Sequence, residues 1–264
     1  MSNDFLHRTK PLLKECDLER MRKTTLAIAG LGGVGGGAFL ALVRLGFRKF
    51  RLAENGVFDP PDMNRQAAAF GGTMGRPKLD VYIELARSIN EDVEIRAFPE
   101  GITMANLAGF LDGCDAHVGV IDVEKGADLK AATPALLRRY NIPLFTAGAV
   151  GMGALMVNHA PEGMMPEEFW ALVRSRSTGA APLPSFIAGL FSPVVTERLI
   201  AAYGQGIVAT TSVGGGLSGL LLAAEIAAYV LKDPGLVGRE VVFAPRFTAV
   251  DLFSQRYSVI DVTK

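Results

Sequence analysis

Apolar residues in this chain gather into short runs that end on small or acidic residues, and between the runs they recur at helical spacing. "TTLAIAG" (24–30) is the first run; a glycine-rich turn follows, and then "AFLALVRLGF", with a helical pattern that closes at Gly46. A short continuous apolar run ending in glycine reads as a strand buried on both faces of a parallel sheet. The alternation then repeats. "KFRLAE" (49–54) is a second strand with a carboxylate at its end, and "GRPKLDVYIELARSIN" (75–90) is a helix with Lys78 near its start. "DVEIRAFPE" (92–100) is a third strand, "MANLAGFLDG" (104–113) a helix, and "AHVGVID" (116–122) a fourth strand ending in Asp122. A helix over 129–141 and a strand over 142–150 complete the series, while residues 1–23 mix charge with apolar positions and predict a surface helix or two.

Strand–helix alternation up to about residue 150 predicts an α/β fold, a Rossmann-like doubly wound and mostly parallel sheet. The core is 24–150, with a less regular C-terminal extension over 151–264. There "PEEFWALVRSRSTG" reads as helical, "APLPSF" and "FSPV" as proline-containing breaks, and "EVVFAP", "FTAVDLF" and "YSVIDV" as terminal strands. "GGGLSGLLLAAEIAAYVLKD" reads as a small-residue turn and a helix. Its apolar stretch is short for a membrane span and is interrupted by Glu225, so a buried or dimer-facing helix is expected. No repeat, low-complexity tract or linker divides the sequence, and a single nucleotide-binding domain over 1–264 is the simplest account.

Charge narrows the function classes. Lys plus Arg and Asp plus Glu are both 27, so the formal net charge is zero, which argues against general binding to nucleic acid or anionic membranes. Cys16 and Cys114 are the only cysteines and neither belongs to a C-x-x-C pair, so no four-cysteine zinc site is expected. The opening residues carry charge but no apolar signal-peptide region, and the cytoplasm is the expected address.

Gly30, Gly32, Gly33 and Gly35 fit G-x-G-x-x-G between a strand and a helix, and Glu54 ends the next strand, where a carboxylate suits ribose hydroxyls. These features point to a nucleotide without saying which; alone they favour an NAD-dependent dehydrogenase, and the plainer alternative is a glycine turn used only for close packing. The polar stretch "NGVFDPPDMNRQ" changes the picture. A dehydrogenase holds its pyrophosphate on the glycine loop and needs no cation here, whereas a triphosphate needs more positive charge. Arg65 can fold back towards the phosphates, Lys78 opens a helix, and Asp122 ends a neighbouring strand, where it could hold Mg²⁺. Such a constellation can stabilise a pentavalent α-phosphate by positioning and electrostatics.

"GLGGVGG", "LAENG…DMNRQ", "GRPK" and "VID" together resemble the adenylating enzymes of the ThiF/MoeB/HesA group, relatives of ubiquitin-activating enzymes. The resemblance implies an ATP-dependent adenylyltransferase that converts a carboxylate into an acyl-adenylate and releases pyrophosphate. It implies an acceptor that is the C-terminus of a small sulfur-carrier or ubiquitin-like protein, a peptide, or a modified tRNA base. It gives Glu54 the ribose, Arg65 and Lys78 the phosphates, and Asp122 the first place in D-x-x-D-N. It also implies a homodimer in which an N-terminal arginine, here matched by Arg8, completes the partner's site.

The chain departs from that pattern at four places. D-x-D becomes Glu54-x-Gly56, the Asn opening N-x-x-R-Q becomes Asp62, and the second Asp of D-x-x-D-N falls on Lys125, leaving Asp122, with Asp128 as fallback, to hold a metal. The family's two zinc-binding cysteine pairs are absent, and "NHAPEGMMPEEFW" has no cysteine for a thioester. His117 is expected to be structural, and His159 could face the site mouth. Two rival readings remain: an NAD(P)-binding oxidoreductase, and a non-catalytic nucleotide-binding partner protein of the same fold, which Gly56, Asp62 and Lys125 favour.

Overall fold

The computed structural model describes residues 4–120, 127–178, 183–231 and 235–264. In chain order these form α1 (Glu15–Lys23), β1 (Thr25–Ala29), α2 (Gly33–Leu45), β2 (Lys49–Ala53), two short 3-10 turns (Pro60–Asn64 and Gly71–Thr73), α3 (Lys78–Ile89), β3 (Glu94–Phe98), α4 (Leu107–Leu111) and β4 (Ala116–Gly119). They continue as α5 (Ala127–Tyr140), β5 (Leu144–Val150), β6 (Gly153–His159), α6 (Pro166–Ser175), α7 (Ser185–Ala188), α8 (Pro193–Tyr203), α9 (Ser212–Leu231), β7 (Arg246–Asp251) and β8 (Arg256–Asp261).

The strands make one eight-stranded sheet in the order β3-β2-β1-β4-β5-β6-β7-β8. The first five are mutually parallel, and β6, β7 and β8 extend the sheet antiparallel. The expected doubly wound sheet is therefore present. Successive side chains of β1 leave on opposite faces. Leu26 and Ile28 enter a core with Phe39 and Leu42 of α2, Tyr82 of α3 and Leu222 and Ile226 of α9. Ala27 and Ala29 enter another with Phe110 of α4 and Leu137 of α5. Cover on both faces explains why the strand reads as an unbroken apolar run. A third cluster joins Leu155 and Val157 of β6 to Phe169 of α6 and Phe247 of β7.

Helix α9 settles against its own chain. A side-chain carbon on Gly219 would come within 2.8 Å of Ala38 N and Val34 O, so the α2–α9 crossing needs glycine. Among the described residues α9 is the one helix long and apolar enough to cross a membrane, yet 56% of its most apolar window is buried within this fold. Of the two expectations for this helix, burial is met; Val213 and Leu220 are its exposed large side chains. Glu225 is nearly fully buried on it. Its carboxylate is held by the Arg239 guanidinium, with Nη1 at 3.0 Å, and by the Val242 N–H at 2.7 Å.

Three features differ from the sequence reading. β6 forms where no strand was anticipated, and every one of its residues is buried. "FSPV" is not a break: Pro193 is the first residue of α8, a place where its missing N–H costs nothing. "EVVFAP" (240–245) is not a strand. Val242 N–H donates to Glu225, and Ala244 N–H donates to the Asn158 carbonyl at 2.7 Å.

Candidate nucleotide site

β1 lies between β2 and β4, and the chain leaves β1 towards one neighbour while returning to the other much later. In open α/β sheets this switch point is where ligands bind, beyond the carboxyl ends of the strands. Gly30 occupies that end with φ +93°, a left-handed conformation that favours glycine. A side-chain carbon on Gly35 would fall 1.9 Å from Gly30 O and 2.7 Å from Val120 Cγ2. The loop therefore closes on itself with no room for a larger residue. Gly32 caps α2 without a side-chain hydrogen bond. The first-turn N–H groups of α2 and the positive end of its dipole form an anion-binding feature.

Glu54 ties this loop to the exit of β2. Its Oε2 accepts from Leu31 N–H at 2.7 Å and its Oε1 from Gly56 N–H at 2.7 Å. The departure at Gly56 then has a physical reason: a side-chain carbon there would stand 2.9 Å from Glu54 Oε1. The longer acid at 54 fills the space that a side chain at 56 would take.

Lys78 is placed by the same exit. Its N–H donates to Gly56 O at 2.9 Å, and Val57 bridges Pro77 just before it. Lys78 is the first residue of α3, where the helix dipole disfavours a cation. Such a position calls for a compensating anion. Asp62 supplies one, with Oδ2 2.8 Å from Lys78 Nζ. Asp62 Oδ1 stands 3.4 Å from Arg65 Nη2 and accepts from Gln66 Nε2. Asp62 is 4% exposed. Burial pushes its carboxyl up, but the Lys78 hydrogen bond, the Asp59 N–H and the charges of Lys78 and Arg65 outweigh burial and hold it below the ordinary carboxylate range.

Arg65 is locked between two helix starts. A side-chain carbon on Gly33 would lie 3.2 Å from Arg65 Cγ and from its carbonyl oxygen, and one on Gly215 of α9 would lie 3.6 Å from Arg65 Cβ. The guanidinium donates to Pro61 O at 2.8 Å and to Asn64 Oδ1 at 3.0 Å. Gln66 Nε2 reaches within 3.9 Å of where a side chain on Gly32 would begin, and Gln66 Oε1 is buried without a hydrogen-bond partner. Gln66 and Gly215 are site neighbours that sequence reasoning gave no role. "GGG" at 214–216 was the only signal for the second, and it reads equally as a packing motif.

The remaining candidates scatter. Leu6 packs against Gly46, at the end of α2 remote from the glycine loop. Arg8 follows two residues later in the same N-terminal segment. Asp122 and Lys125 lie outside the described residues. Asp128 is exposed in the first turn of α5. His117 is buried in β4, where its Nδ1 meets Ala27 O at 3.1 Å and burial lowers its pKa to about 4. His159 does not face the site: it is 1% exposed, with Nδ1 2.8 Å from Met164 O. Burial also raises the Cys114 thiol to about 11, so it is a packing residue rather than a nucleophile.

No group of three His, Cys, Asp or Glu that could hold a metal occurs among the described residues. The two carboxylates beside the loop, Glu54 and Asp62, already face N–H donors or cations, so these side chains do not fit a metal cradle. Two open concavities elsewhere, one against α7 and α8 and one against β8, contain none of the loop residues.

A switch-point glycine loop faced by paired cations defines a protein of the Rossmann-like, phosphate-binding class. The match to known families is more specific. The model of the ThiF family covers residues 7–264, and the chain belongs to that family. It is 30% identical over 135 residues to the tRNA threonylcarbamoyladenosine dehydratase of Haemophilus influenzae, covering 51% of each chain. It is 28% identical over 163 residues to the sulfur carrier protein ThiS adenylyltransferase of Escherichia coli, covering 60% of this chain and 63% of that one. The chain thus spans about half the length of the dehydratase it matches. The crystal structure of E. coli MccB with ATP shares the fold, with a TM-score of 0.71 at 14% identity over 99% of this chain and 72% of that one.

Proposed function

We propose that the chain binds ATP at the glycine loop and activates a carboxylate as an acyl-adenylate. One observation carries this reading: Arg65 and Lys78, separated along the sequence, meet around one anion beside Gly32 and Gly33. A dinucleotide held by the loop alone needs no such pair. In the proposed reaction a carboxylate oxygen attacks the α-phosphorus, the bond from phosphorus to the bridging oxygen breaks, and pyrophosphate leaves with that electron pair. The first turn of α2 binds phosphate oxygens through N–H groups, and Lys78 and Arg65 neutralise the charge that moves onto the leaving group. Glu54, already fixed by two N–H donors, turns its remaining lone pairs to the ribose. Asp122 remains the residue proposed for Mg²⁺.

The acceptor class follows from the relatives, one named for a sulfur carrier protein and one for a modified tRNA nucleoside. We favour a carboxyl terminus, on a small carrier protein or a peptide, because a zero net charge provides no general attraction for RNA. Transfer through an enzyme thioester is disfavoured because "NHAPEGMMPEEFW" has no cysteine and Cys114 is buried with a raised pKa; Cys16 is exposed but precedes β1 in the N-terminal α1. A homodimer in which Arg8 serves the partner's site is part of the same reading, since the N-terminal segment packs through Leu6 on Gly46, at the end of α2 opposite the glycine loop. Calorimetry with ATP and with NAD tests it. ATP binding with little or no NAD binding is the expected result, and NAD binding without ATP would overturn it in favour of an oxidoreductase.

A further inference from the structure

We propose that Asp62 is an internal stand-in for phosphate: it holds Lys78 and Arg65 through its carboxylate, and a nucleotide binds by taking those cations from it. The inference rests on the proposed ATP site and adds a specificity device to it. Asp62 departs from the family pattern, which places an uncharged asparagine at this position. The structure puts its charge at the one place where it matters most to a phosphate. Its Oδ2 contacts Lys78 Nζ at 2.8 Å, its Oδ1 faces Arg65 Nη2 at 3.4 Å, and Gln66 links it towards Gly32.

The charge balance gives the consequence. Arg65 and Lys78 contribute two positive charges, and Asp62 and Glu54 two negative ones. Glu54 is engaged by the Leu31 and Gly56 N–H groups, so Asp62 is the acid that opposes phosphate on the cations. A phosphate arriving at Lys78 meets a carboxylate at hydrogen-bond distance from the same ammonium. Like charges that close inside a partly buried site repel each other far more strongly than in water. The repulsion grows with ligand charge, so Asp62 penalises triphosphate more than monophosphate and leaves adenosine unaffected. Asp62 also keeps both cations compensated when no ligand is bound, which limits the cost of holding Lys78 at the start of a helix.

Asp62→Asn tests the role, because it removes the charge while keeping the volume and an acceptor for Gln66. Affinities of wild type and variant for ATP, ADP, AMP and adenosine are measured by calorimetry at two salt concentrations. The expected result is a gain of about tenfold for ATP in the variant, smaller for ADP, slight for AMP and absent for adenosine, with the gain shrinking at high salt. In a Lys78→Met background the same substitution should give much less gain. A uniform change across all four ligands, or weaker ATP binding by a variant that melts like wild type, would overturn the inference. Should Asp62→Asn fold poorly, Asp62→Ser is measured in the same series and read by the same criterion. Wild-type protein that binds ATP but whose variants show no charge-dependent gain would sink this inference alone. Wild-type protein that binds none of the four ligands would sink the ATP site, and the inference with it.

Discussion

Asp62 and Lys78 form an ion pair of 2.8 Å that joins the 3-10 turn after β2 to the first residue of α3. The pair is only slightly exposed on either side, at 6% and 14% of the side-chain surface. It therefore fixes the geometry of the two cations before any ligand arrives, and both partners can be examined by substitution.

Lys78→Ala and Arg65→Ala should each weaken ATP binding by roughly 1.5–3 kcal/mol, the range for hydrogen bonds to charged groups. Lys78→Ala should also lower stability, because it leaves the buried Asp62 with Gln66, the Asp59 N–H and the more distant Arg65 but without its nearest counter-charge. Calorimetry and urea unfolding on the same samples separate the two effects. Wild-type affinity in both variants would mean that neither cation touches the nucleotide.

Much of this site is legible in the sequence, and the limits are physical. The glycine loop, Glu54 and Lys78 are local signals, each tied to the end of a strand or the start of a helix, and Arg65 closes the 3-10 turn Pro60–Asn64. What Asp62 does is only partly local: Arg65 and Gln66 are three and four residues on, but its pairing with Lys78 depends on the bridge between Val57 and Pro77, which brings Lys78 back to the turn. The five parallel strands are legible because burial on both faces gives unbroken apolar runs. β6 escapes the same reading because only Gly151 and Met152 separate it from β5, so the two strands merge into one apolar stretch. The apolar run of α9 left burial and a dimer face equally open; the close approach at Gly219 is to α2 of the same chain.

Acid should weaken the fold through two buried histidines. Burial lowers the proton affinity of His117 and His159 in the folded state, to about pKa 4 for His117. As pH falls below the ordinary histidine value of 6.5, the unfolded chain binds protons first. Their stability is complete above pH 6.5, and the His117 share is lost progressively down to about pH 4. Urea midpoints at pH 7.5 and pH 5 should fall in wild type. His117→Gln, which cannot titrate, should show a smaller drop between those two values; an equal drop would assign the acid sensitivity elsewhere.

Arg239→Ala should destabilise the chain by roughly 1–3 kcal/mol, below the scale for a fully buried pair because Glu225 is buried but Arg239 is half exposed and screened by water. Glu225 would keep the Val242 N–H but lose its counter-charge. Glu225→Gln in the Arg239→Ala background should restore part of the loss, since it removes the stranded charge. A double variant no more stable than Arg239→Ala alone would show that Arg239 acts through packing of its aliphatic stem.

Glu54 and Gly56 should behave as a coupled pair. The carboxylate of Glu54 reaches both the Leu31 and Gly56 N–H groups at 2.7 Å, and it does so across space that a side chain at 56 would occupy. Gly56 has no left-handed φ, so a substitution there meets a spatial obstacle rather than backbone strain. Gly56→Asp alone adds a second carboxylate 2.9 Å from the first at its β-carbon, and should lower stability by about 1–3 kcal/mol through crowding and repulsion. Glu54→Asp alone withdraws the carboxylate by one methylene and loses at least one backbone N–H bond, a cost of about 1–3 kcal/mol for the stranded donor. The double variant restores the Asp-x-Asp arrangement and vacates the contested space, so its loss should be smaller than the sum of the two. Thermal unfolding of the four proteins gives the coupling directly. Additive losses would mean that the two positions respond to different neighbours, and that the glycine at 56 has a cause other than the longer acid at 54.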